Sequence, residues 1–487
     1  MIDADVIVIG AGIIGCAVAR ELSRYNISVV VVESCSDVAE GATKANSGII
    51  HAGFDAIPGT NKAKYNVIGS NMYADLCLNL GVNYNKCGAL VLAFDDNDEA
   101  VLESLYERGI RNGVLGLKII GRDEVLSLEP NTNPQIVSAL YAPSSAIVSP
   151  YEVAFALADD AAVNGVQFMF DELVSRVMKL KKGFHIVTSS NEYTCRVVIN
   201  CAGSSGALIH NQLCEEKLTI KHRRGQYYLL DRTNQPPFSR TIFQCPSKLG
   251  KGVLVSPTIH GNTLIGPTAE DIPDPSETET TRSGLSEIVS IAKKSWPQLS
   301  VRTNITNFSG VRAHLDTDDF KIGEVKGVPG AYEAIGIESP GLSSAPAIAV
   351  DVRIMVTSYL KATNKETVVQ YRRHNKSFRS MNDEEREKLI KENPKYGNIV
   401  CRCEMITEAE IIESINRPIP ARTIDSVKRR TRAGMGRCQG GFCTPRVAKI
   451  IADNTKIELA DVTKCGNSSN LLVGTIDQFL KDINANE

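Results

Sequence analysis

The sequence predicts an α/β protein built on a parallel sheet, with a small cysteine-marked unit near its C-terminal end. Three observations lead there. The chain opens with an apolar run into glycines, VIVIGAGIIG (6–15), and strand-like and helical segments then alternate through its middle. Beyond a polar stretch, four cysteines gather in two close pairs, Cys401 with Cys403 and Cys438 with Cys443.

Each element has its own reason. Residues 5–10 form an apolar strand, 12–25 a helical pattern and 27–33 (ISVVVVE) a second strand. That is a βαβ unit, which requires a parallel sheet covered by helices. CGALVLAF (87–94), GVLVSP (252–257) and NTLIGP (262–267) have strand character. YEVAFALADDAAVNG (151–165) reads as a helix stopped by Asn-Gly, and VQFMF and GFHIVTSS follow it. RVVINCAG (196–203) is a strand running into glycine. Residues 361–397 are polar and poor in periodicity, as expected of an extended linker with one short exposed helix.

Bulk composition narrows the function. A chain of 487 residues suggests two to four domains, and 43% hydrophobic with 23% charged residues excludes wholesale disorder. A net charge of -2 gives no global field for nucleic acid or an anionic membrane. Met1-Ile2-Asp3 runs straight into a strand, so no secretory signal is expected. The longest apolar run, Val6 to Ala19, is broken by three glycines. It falls short of the roughly 20 residues of a membrane span, so no transmembrane segment is expected. Thirteen cysteines then point to a reducing, cytoplasmic setting with thiols free or metal-bound.

Gly10-Ala11-Gly12-Ile13-Ile14-Gly15 follows a strand and opens a helix. The first glycine makes the tight turn, the second admits a pyrophosphate to the backbone, and the third lets helix pack on strand. Amide N–H groups at the helix start face the phosphates. Glu33 ends the next strand, where an acidic side chain accepts from ribose hydroxyls. Only one such fingerprint occurs, whereas a chain using both NAD(P)H and flavin would normally show two.

GATKANSGIIHAG (41–53), HRRGQYYLLD (222–231), GKGVLVSPTIHGNTLIGPTAED (250–271), FSGVRAHLDTDDFKIGE (308–324) and AIGIESPGLSSAPAIA (334–349) stand in a telling order. Together they resemble the FAD-dependent oxidoreductases of the D-amino-acid-oxidase superfamily. The glycerol-3-phosphate dehydrogenase/oxidase branch is the most similar, with the L-2-hydroxyglutarate dehydrogenases next. The resemblance covers roughly residues 3–360 and implies FAD rather than NAD. It implies an α/β FAD-binding Rossmann-type domain (1–88 with 145–215 and 325–360) and a β-rich substrate-cap domain (89–144 with 216–324).

Carried over by position, the resemblance puts the ADP half of FAD on Gly10, Gly12, Gly15 and Glu33. Thr43, Ser47 and Gly48 are expected along the pyrophosphate and flavin edge, with Val174 at the adenine and Ala202-Gly203 flanking the cofactor. Gly341, Leu342 and Ser343 are expected at the isoalloxazine ring. Oxidising a secondary alcohol needs a hydride acceptor and a base for the hydroxyl proton. His51 is the leading base, since imidazole titrates near working pH; the plainer alternative is a histidine that only positions the ring.

A small anionic hydroxylated substrate also needs fixed cations. Arg312 and Lys251 are the candidates, with Ser339 as a hydrogen-bonding neighbour. Arg312 could instead pair with Asp316 or Asp318, and Lys251 could be a solvated loop residue. Arg223, Arg224 and Tyr227 are further candidates for the same pocket.

Cys401-Arg-Cys403 and Cys438-Gln-Gly-Gly-Phe-Cys443 give CxC, 34 intervening residues, then Cx4C. Structural zinc prefers CxxC knuckles, and disulfides conflict with the compartment. The spacing, GMGRCQGGFC and the helical TPRVAKIIADN resemble the bacterioferritin-associated-ferredoxin-like domain, placed at 398–487 and mainly α. That implies a [2Fe–2S] cluster on four thiolates, with zinc and free thiols left open. Thr444-Pro445 would start a helix with its positive end toward the cluster. Lys428, Arg429, Arg430 and Arg432 either offset the cluster's charge, dock an acidic electron partner, or form a solvated face.

Flavin takes two electrons as hydride and a cluster moves one at a time, so the expected activity is oxidation of sn-glycerol 3-phosphate to dihydroxyacetone phosphate, with electrons leaving to a protein or quinone acceptor. An L-2-hydroxyglutarate or other 2-hydroxy-acid dehydrogenase is the alternative. An amine or amino-acid oxidase is more remote, and a non-dehydrogenase electron-transfer subunit is the reading from another class. An electron-acceptor protein subunit is the expected partner, and the oligomeric state is left open.

Overall fold

The computed structural model describes residues 2–246, 252–372, 377–466, 468–474 and 476. Lys251, expected in the substrate pocket, lies outside the described residues. The chain divides into two compact units, Met1–Ser34 with Val38–Arg373, and Cys35–Asp37 with His374–Glu487.

In the first unit β1 (Ile2–Ile9) turns at Gly10–Gly12 into α1 (Ile13–Leu22), which returns to β2 (Val29–Val32). The helix stops short of the expected residue 25 because Asn26 N–H is drawn to the carbonyl of Thr363, 2.8 Å away. α2 (Asn61–Leu80) is capped by the Thr60 hydroxyl accepting from Ala63 N–H and closed by Gly81 at φ +68°. After it come α3 (Pro150–Val163), β3 (Gln167–Met169), β4 (Glu192–Asn200), β5 (Ile220–Leu230) and β6 (Asn304–Leu315). β7 (Ala331–Ile335) and α4 (Gly341–Leu360) complete the unit.

Five strands lie parallel in the order β3-β2-β1-β4-β7 within an eight-stranded sheet. β2 is four consecutive buried valines, the continuous apolar run expected where helices cover both faces. β4 serves three neighbours. It lies along β1, its first half pairs antiparallel with Phe184–Thr188, and its last three residues pair with β7.

The second sheet has nine strands around the long β5–β6 antiparallel pair, which runs from Ile220 opposite Leu315 to Leu230 opposite Asn304. Leu90, Leu92, Ile242, Val255 and Ile265 pack with Ile288 and Ala292 of the helix Arg282–Ser295. At about 25 cal/mol per Å² of apolar surface, such burial is what holds sheet and helix together.

The stretch expected as a linker carries structure. Lys365 Nζ donates to the Asn164 carbonyl, Val369 N–H to Asn164 Oδ1 and Tyr371 N–H to Asp160, so residues before 373 belong to the first unit. Further on, Asp383–Glu392 is a short helix with no buried residue, started by an Asn382–Glu385 capping box.

In the second unit a two-stranded ribbon (Ile399–Cys401 with Ile406–Thr407) and the helix Glu408–Ile415 precede α5 (Ile424–Thr431) and α6 (Thr444–Thr455). Ile406, Ile411, Ile415, Val427, Val447 and Ile451 form its core together with Cys401 and Cys443.

Candidate active site and metal centre

The turn after β1 has the geometry of a phosphate cradle. Gly10 sits at φ +100°, and a Cβ there would lie 2.6 Å from the Cys201 carbonyl oxygen. A Cβ on Gly15 would lie 1.9 Å from the Gly10 oxygen, so helix and strand meet only without a side chain. Glu33 reaches back across β2 and accepts from Ala11 N–H at 2.6 Å. Thr43 Oγ1 accepts from Ile13 N–H at 3.0 Å, which ties the Gly41–Ala45 turn to the start of α1. Glu172 N–H donates to the Glu33 carbonyl, which brings the chain leading into Val174 alongside the acidic residue. Gly203, at φ +56°, has open space where a side chain would stand. A glycine turn, a carboxylate beside it and an open glycine just beyond the end of the neighbouring strand fit a dinucleotide.

The segments expected at the ring also converge. His51 N–H donates to Ser343 Oγ at 2.8 Å, and Tyr73 Oη–H donates to the Leu342 carbonyl. Gly48, at φ +70°, could not carry a Cβ, which would sit 2.4 Å from the Val148 oxygen. Ser47 lies in the same turn, where Asn46 Oδ1 accepts from Gly48 N–H. Gly341 begins α4, and Ser339 is exposed on the loop just before it. The His51 ring packs 5.9 Å from Phe243 and lines a small open cleft with Phe54, Asp55, Val91, Leu105 and Gln244.

Arg312 points from β6 across β5. Its Nη2 donates to the Thr268 carbonyl at 3.2 Å, and its guanidinium meets the buried Tyr227 hydroxyl, whose pKa burial raises while Arg312 opposes the rise. Tyr227 is stacked on Phe308, ring centroids 4.9 Å apart. The carboxylates expected to compete are engaged elsewhere: Lys221 holds Asp316 at 2.7 Å and Lys62 holds Asp318 at 2.8 Å. Among the described residues no carboxylate lies within 4.0 Å of Arg312. A half-buried guanidinium left in that condition favours an incoming anion.

Two further candidates do not join it. Arg223 is paired with Asp271, and Arg224 with Glu270 and Glu279. Two glycines that sequence reasoning passed over do matter. A Cβ on Gly225 would stand 2.5 Å from Arg312 Nη2, and one on Gly310 would stand 2.0 Å from the Ala45 carbonyl oxygen. The signal was present, since glycine inside a strand marks close approach.

In the second unit the four cysteines form one group. Cys403 and Cys438 Sγ lie 3.5 Å apart, and the Cys401 and Cys443 thiols share a hydrogen bond. That bond, with N–H donors of Gly434 and Glu404, brings the Cys401 pKa down to about 6 against burial and pushes Cys443 up. Burial opposes ionisation of Cys438, but Cys403 and the N–H groups of Gly440 and Phe442 carry it below its usual value. Elsewhere burial drives Cys77, Cys195, Cys201 and Cys245 up to about 12. Thiols paired as donor and thiolate, with backbone N–H groups aimed at sulfur, fit a metal cluster that replaces the shared protons. Gly436 must be glycine, because a Cβ there would lie 2.3 Å from that of Cys403. α6 starts directly after Cys443 with Pro445 in its first turn, as expected.

For Arg429, Arg430 and Arg432 of the basic run, two of the three expected roles fall away. Arg429 and Arg430 are buried, and both bind Asp37, Arg430 through two bonds of 2.6 and 2.7 Å. Arg432 binds the buried Glu404 at 2.9 Å. These cations satisfy interior carboxylates of their unit, so they form neither a solvated face nor a docking patch.

Comparisons with known proteins place each unit in a family. Residues 5–352 match the family described as FAD dependent oxidoreductase, and 399–453 match the BFD-like [2Fe-2S] binding domain. A glycerol 3-phosphate dehydrogenase of Caloramator mitchellensis is 48% identical over 471 residues, 96% of this chain and 98% of that protein. A glycerol 3-phosphate oxidase of Mycoplasma pneumoniae is 33% identical over 74% of this chain and 96% of its own length. The L-2-hydroxyglutarate dehydrogenase of Arabidopsis thaliana is 27% identical over 71% of this chain and 82% of that protein. Among solved structures, the dithionite-reduced L-alpha-glycerophosphate oxidase of Mycoplasma pneumoniae with FAD bound matches with a TM-score of 0.73. The match is 31% identical and spans 77% of this chain and 99% of that one.

Proposed function

The chain belongs to the FAD dependent oxidoreductase family, and from that premise we propose that it oxidises sn-glycerol 3-phosphate to dihydroxyacetone phosphate, passing electrons out through its [2Fe–2S] unit. The observation that carries the reading is the 48% identity with a glycerol 3-phosphate dehydrogenase across 96% of the chain, both units included. The matches to L-2-hydroxyglutarate dehydrogenases span 54–71% of the chain, and no observation on the site favours that substrate.

FAD supplies a two-electron acceptor and the [2Fe–2S] cluster a one-electron carrier. Gly10, Gly12, Gly15 and Glu33 hold the ADP half, Val174 and Ala202-Gly203 flank it, and Thr43, Ser47 and Gly48 line the pyrophosphate. Gly341, Leu342 and Ser343 border the ring, and Cys401, Cys403, Cys438 and Cys443 bind the cluster. Arg312 holds the substrate's phosphate as a fixed cation, with Lys251 and Ser339 completing the pocket. Tyr227 and the Thr268 carbonyl aim its guanidinium. His51 takes the hydroxyl proton at an imidazole nitrogen, and its main chain is anchored to Ser343. Phe54, Val91, Leu105 and Phe243 give that imidazole an apolar wall on one side.

The electron acceptor is a protein subunit or quinone. The described residues contain no helix long and apolar enough to cross a membrane. All thirteen cysteines are free of disulfides, which suits a reducing cytoplasm.

The test is an anaerobic visible titration of the purified protein. Stoichiometric bleaching of the flavin by sn-glycerol 3-phosphate, and not by L-2-hydroxyglutarate, is expected. Bleaching by the hydroxy acid alone would transfer the same residues to that substrate. Bleaching by dithionite alone would leave an electron-transfer subunit.

A further inference from the structure

With Arg429, Arg430 and Arg432 committed to interior carboxylates, the cluster unit presents another surface. The loops that carry the cysteines expose Phe442, which is 85% exposed, and Met405, which is 38% exposed. Phe442 lies between the ligands Cys438 and Cys443, and Met405 follows Cys403 by two residues. Both belong to loops that meet, since Cys403 and Cys438 sulfurs are 3.5 Å apart and Gly436 packs on the Cys403 Cβ. A phenylalanine ring 85% exposed, in a loop that positions two of the four thiols, buries little for folding. Large apolar side chains in that situation mark interaction sites.

The exposed charges on these loops and on the first turns of α6 all have one sign. Within 401–406 and 434–449 the exposed ionic side chains are Arg402, Arg437, Arg446 and Lys449. The single carboxylate there, Glu404, is 2% exposed and bound by Arg432 and Arg379. Arg446 is held in place by the Ile399 carbonyl and Asn398, so its charge is fixed beside the first ligand strand. Lys449 reaches Asp453 one turn along α6 and is the least distinctive of the four.

We infer that this face of the cluster unit, Phe442 and Met405 ringed by Arg402, Arg437 and Arg446, is the docking surface for an acidic one-electron carrier protein. The inference rests on the reading of the cluster as the electron exit. An apolar centre with a cationic rim fits a partner whose own cofactor edge is apolar and ringed by Asp and Glu. One electron crosses the interface: the reduced cluster is oxidised by one unit and the partner's carrier is reduced by one. No bond forms and no proton needs to move. Reversing the roles leaves the docking unchanged, and this allows it to be tested without the alcohol substrate.

The holoprotein is mixed in stopped flow with an acidic flavodoxin in its two-electron-reduced form, read by the colour of the one-electron-oxidised flavodoxin. The second-order rate is expected to fall about tenfold as salt rises from about 0.05 to 0.5 M, because screening removes the steering. The double variant Arg402→Glu/Arg437→Glu is expected to lose about tenfold at low salt, and Phe442→Ala to lose several-fold at every salt concentration, each with an unchanged cluster circular dichroism spectrum. A basic c-type cytochrome, reduced by the substrate-loaded protein, is expected to react slowly with the wild type and faster with the double variant.

A flavodoxin rate indifferent to salt and to both variants overturns the inference. So does a preference for the basic cytochrome, or a double variant whose only change is a shifted cluster potential, which would mean that the arginines merely offset the cluster's charge. Should a variant lose its cluster, the salt dependence of the wild type still decides. Failure of the alcohol-oxidation reading shows separately, as no flavin bleaching by sn-glycerol 3-phosphate.

Discussion

Gly225 lies within extended β5, so alanine is acceptable to the backbone there and only space is at issue. A Cβ would stand 2.5 Å from Arg312 Nη2, 2.9 Å from Pro267 Cβ and 3.2 Å from the Thr268 oxygen. Comfortable non-bonded separation begins near ~3.5 Å, so the nitrogen must retreat by about 1 Å. The charge remains but its aim is lost, along with its bond to Thr268. A charge-assisted hydrogen bond contributes about 1.5–3 kcal/mol, so the Michaelis constant for sn-glycerol 3-phosphate should rise about 10- to 100-fold. The turnover number should change much less, because the phosphate is held equally before and during reaction. The assay is steady-state kinetics with an artificial acceptor, beside thermal melts. Gly183→Ala is the control: its Cβ would strike the Cys195 oxygen at 2.0 Å in the distant hairpin, so it should lower Tm and leave the Michaelis constant alone. Combined with Arg312→Ala, the Gly225→Ala penalty should vanish, since both act through one guanidinium. Additive penalties, or a lowered Tm with no kinetic effect, would refute the reasoning.

Three other outcomes are expected. Glu33→Ala removes the carboxylate beside Ala11 N–H and should weaken FAD binding at least about tenfold, measured by the fluorescence released on dilution; unchanged retention would take Glu33 off the ribose. Cys403→Ser should abolish the cluster's visible and electron-paramagnetic signals while substrate still bleaches the flavin, and persistence of a full cluster would remove Cys403 from the ligand set. Partial burial raises the pKa of Glu338, but Lys62 and His314 more than offset this and leave it below the ordinary 4.5. A depressed carboxylate contributes stability that is complete above the unfolded value and lost as pH falls through the folded one. Lys62→Met should therefore flatten the acid side of the Tm–pH curve below about pH 4.5; an acid limb as steep as that of the wild type would mean that other carboxylates set it.

The parts legible in the sequence are those whose chemistry is local. Gly10 to Glu33 and the Cys401–Cys443 spacing lie within single supersecondary units, so residue type and interval carry the information. What escaped depends on register between distant segments. Arg312 stands opposite Arg223 because β5 and β6 pair across some ninety residues, and nothing local says that Arg223 and Arg224 will find Asp271 and Glu270 on the next strand. Nothing local in the Lys428–Arg432 run points to its interior pairing, because Asp37 is 392 positions away from Arg429. Helix α1 ends three residues before the expected position because its end is set by Thr363.

The threefold role of β4 also fixes a timetable for synthesis. β1 is complete within the first nine residues, yet its pairing partner β4 ends at Asn200, and β7, which closes the other side of β4, ends at Ile335. At about 5–20 residues per second, the first strand waits roughly 10–40 s on the ribosome before it has a neighbour on that side. Through that interval Ile7 lacks the cover that β4 later provides. The second unit draws its core from Val400 to Val462, so it can close within seconds of emerging. Codon changes that slow translation before residue 200 should therefore cost yield of the flavin unit, whereas those after residue 400 should not.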